Sequence, residues 1–271
     1  MNLRTDFADE LIKKKSEEYD KSSKSYKGVK LTTINVLKDK NQFNKQKGKY
    51  ISIEFKDLYD ENTRNSISKL LIDALHSLHK IKKTDKVLII GLGNNKIIAD
   101  SLGPNVADKV MVTNHLFKVI PEEMDNNIKK VCVFTPKVMG QTGLESADIV
   151  KAVNDLFKAD LTIIIDALAS SSIKRVNKVV QLSDTGIAPG SGVGNYRKEI
   201  SKQTLDCKVI AIGVATVVEA NQIIKEVNSN IVDDKYNLIL TPKEIDEDIE
   251  HLSTIIATSI NKYIHNDFTN L

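Results

Sequence analysis

The chain has 271 residues, 41% of them hydrophobic and 28% charged, which is enough for one large core or two smaller ones. Its net charge of +3 is too small to indicate a nucleic-acid-binding protein, and its longest apolar runs are too short to span a membrane. Since the N-terminus has no apolar stretch and neither cysteine has CxxC spacing, we predict a cytoplasmic protein without secretory signal, disulfide, membrane or direct nucleic-acid partner.

The N-terminal part is polar up to residue 28, and we expect it to be loosely held. Alternating apolar and polar residues then predict two strands, at Val29–Val36 and 50–55. An amphipathic helix follows, with one apolar face formed by Ile67, Leu70, Leu71, Ala74, Leu75, Leu78 and Ile81. His76 and His79 fall beside this stripe without a further ligand nearby, so we interpret them as exposed helix residues.

From residue 86 the strands become short and continuously apolar: KVLIIG, KVCVFT, LTIIID, KVVQLSD and KVIAIG. Strands covered by helices on both faces have this pattern, so we predict an α/β fold, a mainly parallel or mixed sheet flanked by helices, with an N-terminal β addition. Intervening helices are predicted at or just before 107–112, at 144–157 and at 217–227. Thr241-Pro242-Lys243-Glu244 matches a capping box and predicts the start of a final amphipathic helix.

Ten of the twelve glycines lie between Gly91 and Gly213, where strands end. In open α/β sheets the ligand crevice lies beyond the carboxyl ends of the strands, so we expect function in these loops. GLGN (91–94) is a weak dinucleotide signal, and GSGVGN (190–195) matches neither GxGxxG nor a P-loop. The second loop either presents backbone N–H groups to an oxyanion or peptide, or forms a turn that needs positive φ.

Two aspartates stand at strand ends. Asp166 follows the apolar run of residues 161–165, and Asp100 follows the strand at 87–90 after a glycine-rich turn. If these strands are neighbours, both carboxylates open into one crevice, where one of them holds a proton and the pair can act as acid and base. The alternative is that each aspartate caps the helix after it.

Six segments together resemble the germination proteases of spore-forming bacteria: GLGNNKIIADSLGPNVADKVMVTNHLF, FTPKVMGQTGLESADIV, IIIDALAS, LSDTGIAPGSGVGN, VIAIGVATVV and LTPKEID. They cover most of residues 86–262 in the family's order. The resemblance implies a fold similar to the hydrogenase-maturation proteases, a homotetramer and synthesis as a zymogen. It also implies a cytoplasmic endopeptidase that degrades small acid-soluble spore proteins in the germinating spore.

The family's two essential aspartates correspond here to Asp100 in DSLGP and Asp166 in IDALA. The resemblance therefore implies that they are the catalytic residues, and we expect loop support or substrate binding from Gly91, Gly93, Asn94, Gly190, Gly192 and Gly194. We predict no cofactor and no metal ligand, and we interpret His115 in TNHLF as a core or supporting histidine. Aspartic and metal-assisted mechanisms both stay open. A metal-dependent maturation-type protease and a non-catalytic module that binds acidic peptides are the alternatives.

The stretch TDFADE, residues 5–10, resembles the site at which this family cuts its substrates. The resemblance implies autoprocessing between Asp6 and Phe7, which divides the chain into a propeptide (1–6) and a single α/β peptidase domain (7–271). That domain consists of an N-terminal extension (7–60) and the core that matches the family (86–262). Phe7 would need an apolar pocket, and the flanking acids a positive rim that the lysine excess supplies. The alternative is a polar tail that matches by coincidence.

Overall fold

A computed structural model describes residues 5–12, 16–123, 127–190, 197–227 and 238–265. Its strands form one mixed sheet. The strand order is β1-β2-β3-β7-β8-β6-β4-β5, with β9 beside β8. Strands β5, β4, β6 and β8 are mutually parallel, and the other pairs are antiparallel. The strands are β1 (Tyr19–Tyr26), β2 (Val29–Val36), β3 (Gly48–Glu54), β4 (Lys86–Gly91), β5 (Lys130–Phe134), β6 (Leu161–Ser170), β7 (Val179–Ser183), β8 (Lys208–Glu219) and β9 (Ile239–Leu240).

Helices cover both faces of this sheet, which confirms the predicted fold class with its N-terminal β addition. The helices are α1 (Ala8–Leu11), α2 (Glu61–Leu78), α3 (Leu102–Lys109), α4 (Leu116–Val119), α5 (Met139–Thr142), α6 (Ser146–Phe157), α7 (Lys202–Leu205), α8 (Ala220–Val227) and α9 (Ile245–His265). In the described part of the chain, no helix has the length and apolar character needed to cross a membrane.

Alternation along β6 separates the two faces of the sheet. Ile163 and Ile165 join the larger core beneath α2, α3 and α9, whereas Ile164 joins a second core beneath α6 and α7. Because side chains two apart in a strand share a face, Asp166 and Leu168 lie on the side of Ile164. We call this side the second face, and it carries the candidate site.

The expectation of a loosely held N-terminus is wrong for the described residues. The whole of β1 pairs with β2, and residues 5–12 pack against the sheet with Phe7, Ala8 and Ile12 buried. Strand β1 gave no sequence signal because it is an edge strand whose side chains are mostly exposed, so apolar residues are not required.

Two predicted helix starts are also wrong. Strand β8 continues to Glu219, because Val217 and Val218 pair with the end of β6, so the helix predicted from 217 begins at Ala220. The capping box at Thr241 does not form, since the Thr241 hydroxyl donates to the Thr216 carbonyl at 2.8 Å. The final helix therefore begins at Ile245.

Candidate active site

Asp166 lies in the middle of the sheet, on the second face of β6. Its register partner in β8 is Gly213, whose partner in β7 is Gln181. Asp166, Gly213 and Gln181 thus form one row across three strands, which we call the central row. Gly213 has no room for a side chain, because the Leu168 side chain packs over it and a Cβ there would lie 2.2 Å from Cδ1 of Leu168. The central row thus carries a carboxyl group at one end and an amide at the other.

Asp100 reaches the same site from β4, the parallel neighbour of β6. The turn after β4 is tied to β6 by a hydrogen bond from Leu92 N–H to the Ile165 carbonyl, at 2.8 Å. Asn94 N–H donates to Oδ2 of Asp100 at 2.9 Å. Gly93 has a φ of +121° and lies so close to Asp100 that an added Cβ would be 2.0 Å from its carbonyl oxygen. The glycine-rich turn therefore holds Asp100 in place by backbone contact.

The pKa values of both carboxyl groups are raised, and the charge of Asp100 contributes to the shift of Asp166. Burial raises the pKa of Asp100 to about 6. Burial raises the pKa of Asp166 well above its usual value, and the charges of Asp100 and then Asp6 raise it further. Neither aspartate caps a helix, since Asp166 is a strand residue and Ser101 occupies the N-cap of α3 without a side-chain bond. The arrangement favours a protonated Asp166 beside a more readily ionised Asp100.

Residues 5–12, which we call the docked segment, lie on the second face against the end of β6. Asp6 N–H donates to the Ala169 carbonyl at 3.1 Å, and Ala169 N–H donates to Oδ2 of Asp6 at 3.0 Å. Beyond Phe7, Ala8 N–H donates to Oε1 of Gln181 at 3.0 Å. The peptide bond between Asp6 and Phe7 is thus fixed from both sides, by β6 and by the central row.

Phe7 fills an apolar pocket next to the central row. Its side chain is fully buried and packs with Leu168, Val179 and Ala215. The guanidinium of Arg175 lies 5.0 Å from the centre of its ring, a cation–π distance. Phe7 therefore occupies an apolar pocket of the kind that we expected from the sequence, with a cation at its ring.

The acids that follow Phe7 are held by a polar cluster at the end of β6. Arg175 pairs with Asp9 at 2.8 Å and with Glu10 at 3.2 Å. Glu10 also accepts hydrogen bonds from the Ser170 hydroxyl at 2.6 Å and from Ser171 N–H at 2.8 Å. An arginine and two serines therefore contact these acids in the part of the rim where the sequence had suggested lysines.

The remaining predicted residues are placed as follows. Gly190 has a φ of +73°, in accord with a turn that needs glycine, whereas Gly192 and Gly194 lie outside the described residues. His115 is exposed beside α4, so its interpretation as a core or supporting histidine is wrong. Within the described ranges, no group of three or more His, Cys, Asp or Glu side chains is arranged to hold a metal ion.

Sequence reasoning missed Gln181 and Arg175 and did not distinguish Lys45 from its neighbouring lysines. Gln181 gave a usable signal, because it interrupts the apolar residues of the strand VVQLS with a long polar side chain. Arg175 ends a single 3-10 turn shortly after a run of serines and gave no signal. Their roles depend on contacts with residues more than one hundred positions away, which local patterns do not report.

A sequence profile described as Germination protease matches residues 2–234. A germination protease of Clostridium tetani (strain Massachusetts / E88) is 38% identical across 96% of this chain and 95% of its own. One from Bacillus subtilis (strain 168) is 40% identical across 76% of this chain and 58% of its own. The crystal structure of a NiFe hydrogenase maturation protease, HycI from Thermococcus kodakarensis KOD1, covers 70% of this chain and 98% of that one, with 18% identity and a TM-score of 0.38. The sequence matches confirm the resemblance that the motifs indicated.

Proposed function

We propose that this chain, which belongs to the germination protease family, is an aspartate-dependent endopeptidase. It cuts its own chain between Asp6 and Phe7. Membership of this family shows that the chain is a peptidase with a role in germination. The proposal adds the catalytic pair, Asp100 and Asp166, and the cleavage site. It also adds the substrates, the small acid-soluble proteins inside the spore.

The observation that carries this proposal is the position of the docked segment. Its Asp6–Phe7 bond lies between a hydrogen bond to Ala169 and one to Gln181, so the bond is held over the central row that contains Asp166. The Asp6 charge also raises the pKa of Asp166, which indicates that these side chains are close. A polar tail that matched a substrate by coincidence would not need a buried phenylalanine and a paired arginine.

The proposed chemistry is hydrolysis by an acid and a base. Asp100, the carboxyl with the lower pKa, takes a proton from water as the water oxygen adds to the carbonyl carbon of Asp6. Asp166, kept protonated by burial and by the charge of Asp100, gives its proton to the nitrogen of Phe7 as the C–N bond breaks. The products are a new carboxyl group on Asp6 and a new amine on Phe7.

The same site would then bind protein substrates through the contacts that it makes with the docked segment. The Phe7 pocket selects an apolar residue after the cut, and the cluster of Arg175, Ser170 and Ser171 selects an acid three residues later, at the position of Glu10. Under this proposal residues 1–6 are a propeptide and residues 7–271 the mature domain. We also propose the homotetramer that the family resemblance implies, and loop support by the glycines of residues 91–94 and 190–195.

The test follows the mass of the purified chain with time and uses the peptide LRTDFADELIKK, copied from residues 3–14, as substrate. We expect wild type to lose residues 1–6 and to cut the peptide between Asp and Phe. Asp100→Asn and Asp166→Asn should fold, but their self-processing rate should fall on the order of 100-fold or more. An amide can neither take nor give the proton. The exposed Asp155, on α6, supplies the control variant Asp155→Asn, which should process normally.

Two outcomes would favour the alternatives. Complete loss of processing on chelation, restored by one added metal ion, would indicate a metal-dependent maturation-type protease. Binding of the peptide by wild type without any cut would indicate a module that grips acidic peptides, for which the contacts of Arg175 with Asp9 and Glu10 would be sufficient.

A further inference from the structure

One cation contacts the backbone of the docked segment at the bond proposed for cleavage. Nζ of Lys45, in the loop between β2 and β3, donates to the carbonyl oxygen of Asp6 at 2.8 Å. Lys45 is half-buried, and the partial loss of water around its ammonium group lowers its pKa. An ammonium partly shielded from water is a strong hydrogen-bond donor and polarises the carbonyl group that it contacts.

A second donor approaches the same oxygen. Nε2 of Gln181 lies 3.5 Å from the Asp6 carbonyl, and Oε1 of the same amide accepts from Ala8 N–H. The bond to Ala8 fixes which end of the amide faces Asp6, so Gln181 spans the peptide bond between Asp6 and Phe7. Together, Lys45 and Gln181 direct two N–H donors at one carbonyl oxygen, the geometry of an oxyanion site.

The negative charges that favour the ammonium form of Lys45 belong to the docked segment itself. The carboxylates of Asp6, Glu10 and Asp9 raise the pKa of Lys45 and oppose the effect of burial. A substrate with the same acids would therefore bring the counter-charge with it. The acidic residues of the cleavage site thus favour the protonated form of Lys45, which contacts the carbonyl group of that site.

We infer that Lys45 is a catalytic residue that stabilises the oxyanion formed on the Asp6 carbonyl, with Gln181 as its partner. The inference rests on the proposed cleavage between Asp6 and Phe7. When the water oxygen adds to the carbonyl carbon, the electron pair of the C=O bond moves to oxygen, and the Lys45 ammonium donates to the resulting anion. When the C–N bond to Phe7 breaks, that pair returns to form the new carboxyl group, and Lys45 keeps its proton.

The experiment measures self-processing of the full chain, purified in denaturant and diluted into native buffer, by intact mass against time. Lys45→Met should lower the first-order rate on the order of 100-fold, the usual effect of removing one oxyanion donor. Lys45→Arg, which keeps a cation, should recover part of the rate. Lys47→Met is the matched control, because Lys47 is exposed in the same loop, and it should process at the wild-type rate.

A second measurement separates catalysis from docking. In an Asp100→Asn background, which keeps the chain uncut, hydrogen exchange reports the Asp6 and Ala8 amides, which donate to Ala169 and Gln181. If Lys45 acts on the oxyanion, Lys45→Met leaves both amides protected. Loss of their protection would mean that Lys45 only holds the segment, and would overturn the inference.

The remaining outcomes are also decisive. If wild type is processed and the rate of Lys45→Met is within about threefold of it, the oxyanion role of Lys45 is refuted but the proposed function is not. Removing one oxyanion donor lowers a rate by far more than threefold. If wild type is never cut after Asp6, both fail, because the carbonyl that Lys45 contacts is then not a reacting group.

Discussion

Replacing Phe7 with alanine tests how much of the docking comes from one side chain. Phe7 is fully buried against Leu168, Val179 and Ala215, beneath the guanidinium of Arg175. Truncating a buried phenylalanine usually costs about 3–5 kcal/mol. At about 1.4 kcal/mol per factor of ten, a loss of 3 kcal/mol lowers the docking equilibrium constant roughly 150-fold.

Hydrogen exchange of the Ala8 amide measures this equilibrium directly, because its bond to Gln181 exists only when the segment is docked. With the chain kept uncut by Asp100→Asn, we expect Phe7→Ala to reduce protection of Ala8 by about two orders of magnitude. Leu156→Ala is the control, since Leu156 is 86% exposed and should leave protection unchanged. A reduction of less than about tenfold would refute the reasoning, because it would correspond to under about 1.4 kcal/mol from the pocket.

Three further predictions concern the aspartates and the turns that hold them. The processing rate should rise as pH increases through about 6, where Asp100 ionises, and a rate that is flat from about pH 4 to 8 would contradict its role as base. Because the folded-state pKa of Asp100 is raised, the stability associated with its neutral form is present below about pH 4 and is lost as pH rises through about 6. Asp100→Asn, which stays neutral, should therefore be more stable than wild type by about 3 kcal/mol at pH 8, and equal to it below about pH 4, as measured by denaturant unfolding. Gly103→Ala should destabilise the chain by about 1–3 kcal/mol or more in the same assay, because its Cβ would lie 2.1 Å from the Leu92 carbonyl oxygen, whereas Gly140→Ala, with open space around it, is the neutral control.

The sequence was most informative about the parallel strands. KVLIIG and LTIIID are continuously apolar because helices bury both sides of β4 and β6, and this pattern survives in any short window of the chain. It was least informative about β1, whose polar residues fit an exposed edge as well as a loop. The helix start predicted at Thr241 was wrong because a tertiary hydrogen bond to Thr216 took the hydroxyl that a cap would have used.

For the candidate site, the sequence by itself indicated the two residues that we propose as acid and base, and the stretch that resembles the cleavage site of the family's substrates. Asp100, Asp166 and the stretch TDFADE were identified from motifs, since each is a short contiguous pattern. Only the tertiary structure decided what lies around them. Lys45 and Gln181 meet at Asp6 because the β2–β3 loop, β7 and the docked segment converge on the second face of the sheet. Strand order and register determine this contact. The local sequence does not predict it, because Lys45 is one lysine among many and Gln181 is one polar residue in a strand.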